Sequence, residues 1–237
     1  MNNNGKNLKV VVLNAPPRAG KGIGASYLTE CINNNKSPLT SHHREFKDSL
    51  IKITSDMLGI SVEDFLVGYN MTVEDYCDTF LPIYKDYFLQ MGVTWWKDIP
   101  LYSVNNKLLS KRQALIHVSE NVIKPNFGDD AFGQMFVNNL PNEGVVFVSD
   151  GGFKEELLPV INHVGKENVL IIRLHRDGCD FSNDSRDYLT KEMFDKDNCP
   201  ASIDLENNGT IEEFEGNLLK VYNDWDKGEY YEESNCD

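Results

Sequence analysis

The chain has 237 residues, with 23 Lys and Arg against 37 Asp and Glu, a formal charge of −14 with histidines neutral. Nothing along it clusters Lys and Arg enough to offset that balance, which argues against a groove for nucleic acid and leaves small anionic ligands open. A hydrophobic share of 41% with 11% aromatics is that of a globular fold and excludes wholesale disorder. No apolar run approaches the roughly 20 residues that span a bilayer. The five cysteines carry no CxxC spacing and the start, Met1–Asn7, is polar, so a reduced, cytoplasmic protein away from the membrane is expected.

In chain order, the first strand signal is Lys9–Leu13, a β-branched run of the kind buried in a parallel sheet. The loop Asn14–Gly22 follows, then a helix over Ile23–Ile32 closed by Asn33–Asn35. Thr40–Phe46 is read as a second strand. From about 47 to 140 the pattern is mostly helical, with Leu50, Ile53, Met57 and Leu58 and later Leu108, Leu115, Val118 and Val122 at helical spacing. Aromatics are dense from Tyr69 to Trp96, which suits either an insertion with its own small core or a contact in a homodimer. Strand character returns at Val145–Val148 and Val169–Arg173, with Phe153–Val164 as a crossover helix between them, and Ser202–Leu205 precedes a helix starting near Thr210. Strands alternating with helices make the class α/β.

The turn between the first strand and its helix carries the most chemistry. Triphosphates are held where a buried strand turns into a helix, because backbone N–H groups converge on the anion and a Lys reaches its outer phosphates. The usual pattern is GxxxxGK followed by Ser or Thr; here Ala15 takes the first glycine's place, Gly20 and Lys21 match, and Gly22 stands where the hydroxyl belongs. An ordinary glycine-containing turn explains such a partial match equally well. Asp150, closing the Val145–Val148 run, is placed as an acidic residue near the metal of a triphosphate, against the plainer reading of Ser149–Gly152 as a turn. With the hydroxyl missing, Mg2+ would keep an extra water and rely on Asp150 and the phosphates; Ser26 lies too far along the helix to replace it.

The order of motifs resembles the bacteriophage deoxynucleoside monophosphate kinases, which move the γ-phosphate of ATP onto a dNMP. The pieces are Arg18-Ala19-Gly20-Lys21, Phe46–Lys52, Lys111–Leu115 leading through Glu120 to Gly128–Phe132, then Val145–Asp150, Arg173–Arg176 and Asn207–Glu213. The chain departs from the family at Gly22, at Asp150-Gly151-Gly152 where the family has Asp-x-Arg, at Lys124 for an arginine, and at Asp184–Asp187 for His-x-Ser-Glu. The resemblance implies a mononucleotide-kinase-like three-layer fold with a mostly parallel five-stranded sheet. It also implies one domain over 1–237, a helical substrate-binding insertion over about 47–140, a lid over about 177–198, and ATP and Mg2+ as cofactors.

On that reading Lys21 holds the β- and γ-phosphates, Ala15, Arg18, Ala19, Gly20, Gly22 and Ile23 complete the ATP loop, and Asp150 meets the metal directly or through water. Arg18 and Arg176 cover transition-state charge, with Arg186 further along the lid. Arg112 grips the acceptor phosphate, Asp48 and Lys52 lie beside the acceptor, and Asp130 and Gln134 near Phe132 read the base. Each has a plainer alternative: Arg112 a surface arginine, Asp48 a helix-start carboxylate, Phe132 and Phe136 core residues, the lid arginines partners of surplus carboxylates. Two other functions stay open. One is a kinase of another phosphorylated small molecule, as in phosphomevalonate-type kinases; the other is a nucleotide-binding protein whose degenerate loop has lost catalysis.

Overall fold

The computed structural model describes residues 8–34, 39–71, 102–104, 107–182 and 184–229. The chain forms two compact units, Met1–Phe46 with Phe132–Asp237, and Lys47–Ala131.

The first unit is an α/β fold around a five-stranded sheet whose pairings are all parallel. Its strands are β1 (Leu8–Asn14), β2 (Ser41–Arg44), β5 (Gly144–Val148), β6 (Val169–His175) and β7 (Ala201–Glu206), in the order β2-β5-β1-β6-β7. Central strands are covered on both faces, so they read as continuous apolar runs: Val10 to Leu13, Val145 to Val148 and Val169 to Ile172 are all essentially buried. One face packs against α1 (Lys21–Asn34) and α8 (Ile211–Asp226) through Val11, Leu13, Phe147 and Ile172 with Leu28, Phe214, Leu218 and Tyr222. The other, through Val10, Val12, Val146 and Ile171, packs against Leu157, Val160 and Ile161 of α7 (Lys154–Val164) and Phe136 of α6 (Ala131–Asn138). Helix, sheet and helix make three layers.

Two details fix the layers. A Cβ on Gly24 would lie 2.7 Å from Leu218 Cδ2 and 3.1 Å from the Phe214 ring, so the glycine is what lets α1 and α8 approach. Helix α8 begins on a reciprocal cap: Thr210 Oγ1 accepts from Glu213 N–H at 3.2 Å while Glu213 Oε2 accepts from Thr210 N–H at 2.9 Å, which gives the Thr-Ile-Glu-Glu run its local purpose.

The second unit contains α2 (Asp48–Leu58), α3 (Val62–Leu66), a hairpin of β3 (Tyr102–Val104) and β4 (Lys107–Leu109), and α4 (Lys111–Val118) continuing through a π-helical turn, Ser119–Ile123, into α5 (Lys124–Phe127). Pro125 accounts for the wide turn, because its ring cannot donate to, and would clash with, the carbonyl four residues back. The hairpin corrects the helical reading of Leu108. On α2 the buried positions are Leu50, Ile51, Thr54 and Ser55, while Met57 is 51% exposed. The inward face is therefore rotated from the aliphatic spacing, and Ser55 fits it by donating its hydroxyl to Lys52 O at 2.9 Å. Of the dense aromatics, those from Tyr76 to Trp96 lie outside the described residues. No helix among the described residues is long and apolar enough to cross a membrane.

Candidate functional site

The sheet has a topological switch point. From β1 the chain passes to α1 on one face, whereas from its neighbour β5 it passes to α7 on the other, so the loops 15–20 and 149–153 part at the C-terminal ends of adjacent strands. In open parallel sheets such a crevice is where ligands bind.

On one side stands the loop Ala15–Gly20. Ala15 and Ala19 are buried at its two ends, and Arg18 and Gly20 both have positive φ, 67° and 103°. Arg18 is the one non-glycine among the described residues in that region, a conformation that costs an L-residue roughly 1–2 kcal/mol. Gly20 is also required for space: a Cβ there would lie 2.7 Å from Asn207 Nδ2. That same amide donates to Ala19 O at 2.9 Å, fastening the loop to the turn between β7 and α8. Helix α1 then opens with Gly24 N–H on Gly20 O at 2.9 Å, so the N–H groups ahead of it have no acceptor within the helix, and its first turn has no acidic residue. Lys21 turns back over the loop, donating to Ala15 O at 2.6 Å and Pro16 O at 2.8 Å. Gly22 has open space around its would-be Cβ, and Ile23 is 54% exposed.

Across the crevice Asp150 is 7% exposed, and its Oδ1 accepts from Phe46 N–H at 2.8 Å. Part of this carboxylate thus holds the exit of β2. Beside it Ser149 Oγ donates to Glu45 Oε1 at 2.9 Å and lies 2.8 Å from His43 Nε2, while His43 Nδ1 lies 3.3 Å from Ser26 Oγ. Ser26, whose hydroxyl the sequence places too far along to replace the one missing at Gly22, is engaged in this chain instead. Among the described residues no three His, Cys, Asp or Glu side chains group as a metal cage. Magnesium does not need one, since it binds through one or two carboxylates with phosphates and waters, and Asp150 fits that role.

The arginines after β6 divide. Arg173, with Nε and Nη2 on the Asp204 carboxylate at 2.8 and 2.6 Å, is committed to the edge strand, and His175 Nε2 lies 2.5 Å from Asp204 Oδ1. Arg173 holds the Asp204 carboxyl down at about 2, with His175 adding to it. Arg176 instead reaches the loop, Nη1 on Arg18 O at a long 3.5 Å. Arg186 enters the crevice itself: Nη1 donates to the main-chain oxygen of Asp150 at 3.2 Å, while Nε and Nη2 clasp Asp184 at 2.8 and 2.5 Å. Arg186 holds the Asp184 carboxyl down at about 2, and the charge of Lys21 acts on it in the same direction. Lys21, Asp184, Arg186 and Asp150 are therefore one electrostatic group.

The acceptor-side candidates fall elsewhere in the sequence. Asp48, in the first turn of α2, Lys52, Arg112 on α4 and Asp130 belong to the second unit and are exposed; Lys52 pairs with Asp56 at 2.8 Å. The neighbour of Arg112, Lys111, is buried and donates to the carbonyls of Asp64 and Val67, closing the end of α3; burial pushes its ammonium down to about 8. Lys124 pairs with Glu120 at 2.7 Å. Gln134 is exposed on α6, but Phe132 and Phe136 are buried, with the Phe136 ring 4.6 Å from Phe46, so these aromatics are core and not a base platform.

Sequence reading passes over three contributors. Asn14 is completely buried and ties the turn after β5 to the segment after β6; Asn207 anchors the loop; Gly152 lies under the stem of Arg186. Asn207 leaves a trace in the Asn207–Glu213 run, and Gly152 one where the Asp-x-Arg of the resemblance is broken. Next to the loop, a cavity of about 400 Å³ is lined by Glu206, Asn207, Asn208, Gly209, Glu213 and Phe214.

No protein-family description matches the sequence, and no curated protein does. Among solved structures, the dephospho-CoA kinase from Campylobacter jejuni is similar over 94% of this chain and 100% of its own, at 15% identity and a TM-score of 0.38. A likeness of that size bears on neither substrate nor mechanism.

Proposed function

We propose that the protein is an ATP-dependent phosphotransferase acting on a deoxynucleoside monophosphate. The observation that carries the reading is the switch-point crevice, with Lys21 and the start of α1 on one side and Asp150 at the end of the adjacent strand on the other. The γ-phosphorus bond to the bridging oxygen of ATP breaks, ADP leaves with the electron pair, and the acceptor's phosphate oxygen forms the new bond. Such a transfer needs positioning and charge neutralisation more than covalent help.

Lys21 moves from the carbonyls of Ala15 and Pro16 to the outer phosphates, the N–H groups at the head of α1 donate to them, and Arg18 and Arg176 add charge from the loop's outer side. Mg2+, held at Asp150, would neutralise the phosphates. The cavity beside Asn207 and Phe214 suits the nucleoside end of a donor whose phosphates lie at the loop. For the acceptor, Asp48, Lys52, Arg112, Asp130 and Gln134 rest on the family resemblance alone.

The test is ATP- and Mg2+-dependent formation of dNDP from a panel of dNMPs, followed directly, with Lys21→Ala alongside. Loss of the lysine is expected to lower kcat/KM by ~100-fold or more, since it removes a charge aimed at the transition state. Transfer undiminished in Lys21→Ala would refute the loop assignment. Saturable ATP binding without transfer to any dNMP would favour a different acceptor or a nucleotide-binding protein.

A further inference from the structure

The Arg186 guanidinium is held at one edge and at one nitrogen more. Of its five N–H donors, Nε and one on Nη2 go to Asp184 and one on Nη1 goes to Asp150 O, which leaves two among the described residues. The side chain is 21% exposed and that of Asp184 7%, so the clasp is mostly shielded while the guanidinium keeps an open side. Its stem lies on Gly152. A Cβ at 152 would stand 2.6 Å from Arg186 Cβ and 2.8 Å from both Cγ and Cδ, and these are the three nearest atoms. Gly152 does not have positive φ, so only the volume of Arg186 demands a glycine there.

Resting on the phosphotransferase reading, we propose that Arg186 is the guanidinium that meets the transferring phosphoryl group, that Asp184 positions it, and that Gly152 is its seat. The placement argues for this in three ways. Arg186 stands on Gly152, in the loop 149–153 that leaves β5 at the switch point. Its Nη1 holds Asp150 O just beyond β5, and the loop that Lys21 covers leaves β1, the strand paired with β5, so lysine and guanidinium flank the same crevice. An arginine already fixed by a bidentate carboxylate has little side-chain freedom left to lose when it meets an anion, and a planar fork of remaining donors suits phosphate oxygens.

The seat makes the two positions exchangeable. With Arg186→Gly the three atoms that crowd residue 152 are gone, and an arginine rooted at 152 fills the vacated path. In the full-length protein, Arg186→Gly is expected to lower kcat by ~100-fold or more while ATP binding, measured by calorimetry, stays within about threefold. Adding Gly152→Arg to that variant is expected to recover at least about tenfold of the loss. Asp184→Asn should lower kcat with the KM for ATP unchanged, and Asp184→Glu should restore part of it, whereas a merely structural carboxylate would move melting temperature and both constants together.

Full activity in Arg186→Gly overturns the inference and leaves the kinase reading standing. So does a folded Gly152→Arg/Arg186→Gly protein, checked by its melting transition, with no recovery. Should the double variant not fold, Arg186→Lys decides: retention of wild-type kcat refutes the need for the fork, and a loss of ~10-fold or more supports it. A wild-type protein that binds ATP but transfers to no acceptor defeats the kinase reading, and the inference falls with it.

Discussion

Replacing Asn14 with alanine is the sharpest test of how the crevice is held together. The side chain is fully buried at the end of β1; its Nδ2 donates to Gly151 O at 3.1 Å and Asp187 O at 3.0 Å, and its Oδ1 accepts from Leu189 N–H at 2.7 Å. Alanine leaves the Leu189 N–H buried without its acceptor, which costs about 1–3 kcal/mol, and removes two further bonds of net worth about 0.5–1.5 kcal/mol each. Part of that is regained where the two carbonyls find water, so the expected loss is about 2–4 kcal/mol. In urea, with a slope on the order of 2–3 kcal/mol/M, the midpoint should fall by about 1 M. Asn138, exposed on α6, provides the control, because an exposed substitution should stay within about 0.5 kcal/mol. Hydrogen exchange adds a local readout, with Leu189 N–H protected in the wild type and fast in Asn14→Ala. An Asn14→Ala protein as stable as Asn138→Ala, with Leu189 still protected, would refute the clamp.

The other predictions concern the loop and the clasp. Gly22→Ser meets no neighbour within 4 Å and should gain roughly 0.5 kcal/mol of helix stability; by placing a hydroxyl after Lys21 it should lower the Mg2+ concentration for half-maximal transfer, and an unchanged titration would count against the proposed metal role of Asp150 alone. Arg18→Gly relieves the left-handed residue, so it should melt no lower than wild type while losing transfer; a lower melting temperature would mean that Arg18 is fixed by contacts worth more than its strain. The Asp184 carboxyl, held near 2 against an ordinary 3.8, stabilises the fold fully above about pH 4 and loses that contribution as the pH falls toward 2. Wild type should therefore lose about 1–2 kcal/mol more than Asp184→Asn between pH 5 and pH 2, and parallel stability curves would contradict the clasp.

What could be read from the sequence followed burial. Strands β1, β5 and β6 are covered on both faces, and a doubly covered strand announces itself as an unbroken apolar run. Strand β2, Ser-His-His-Arg at the sheet's edge, carries no such run, so the expected Thr40–Phe46 overruns it by one residue before and two after; the three-residue strands of the hairpin are too short for any period to show. The loop was visible because its chemistry is local, from Ala15 to Gly22. Arg186 on Gly152 and Asn14 on Leu189 join residues far apart in the chain, and no spacing encodes either. The family resemblance led to an arginine at 152 and found glycine; the structure places the Arg186 stem in that space. Phe132 and Phe136 look the same as core or as a base platform until the Phe46 ring is found against Phe136.

A strongly acidic protein that is to hold a triphosphate must keep its few cations from being consumed by its own carboxylates. Several are engaged by carboxylates: Arg173 by Asp204, Lys9 by Asp226, Lys52 by Asp56, Lys124 by Glu120. At the loop two basic side chains also hold neutral groups. Lys21 donates to two neutral carbonyls, and Arg176 to a third at a length that makes the bond weak. A charge-assisted bond to phosphate is about twice as strong as a bond between neutral groups, so an arriving anion displaces carbonyls more readily than it would displace a carboxylate. Arg186 gives one edge to Asp184 and keeps donors over. On the proposed reading, the way these side chains are partnered, more than the number of basic residues, sets how readily phosphate enters the crevice.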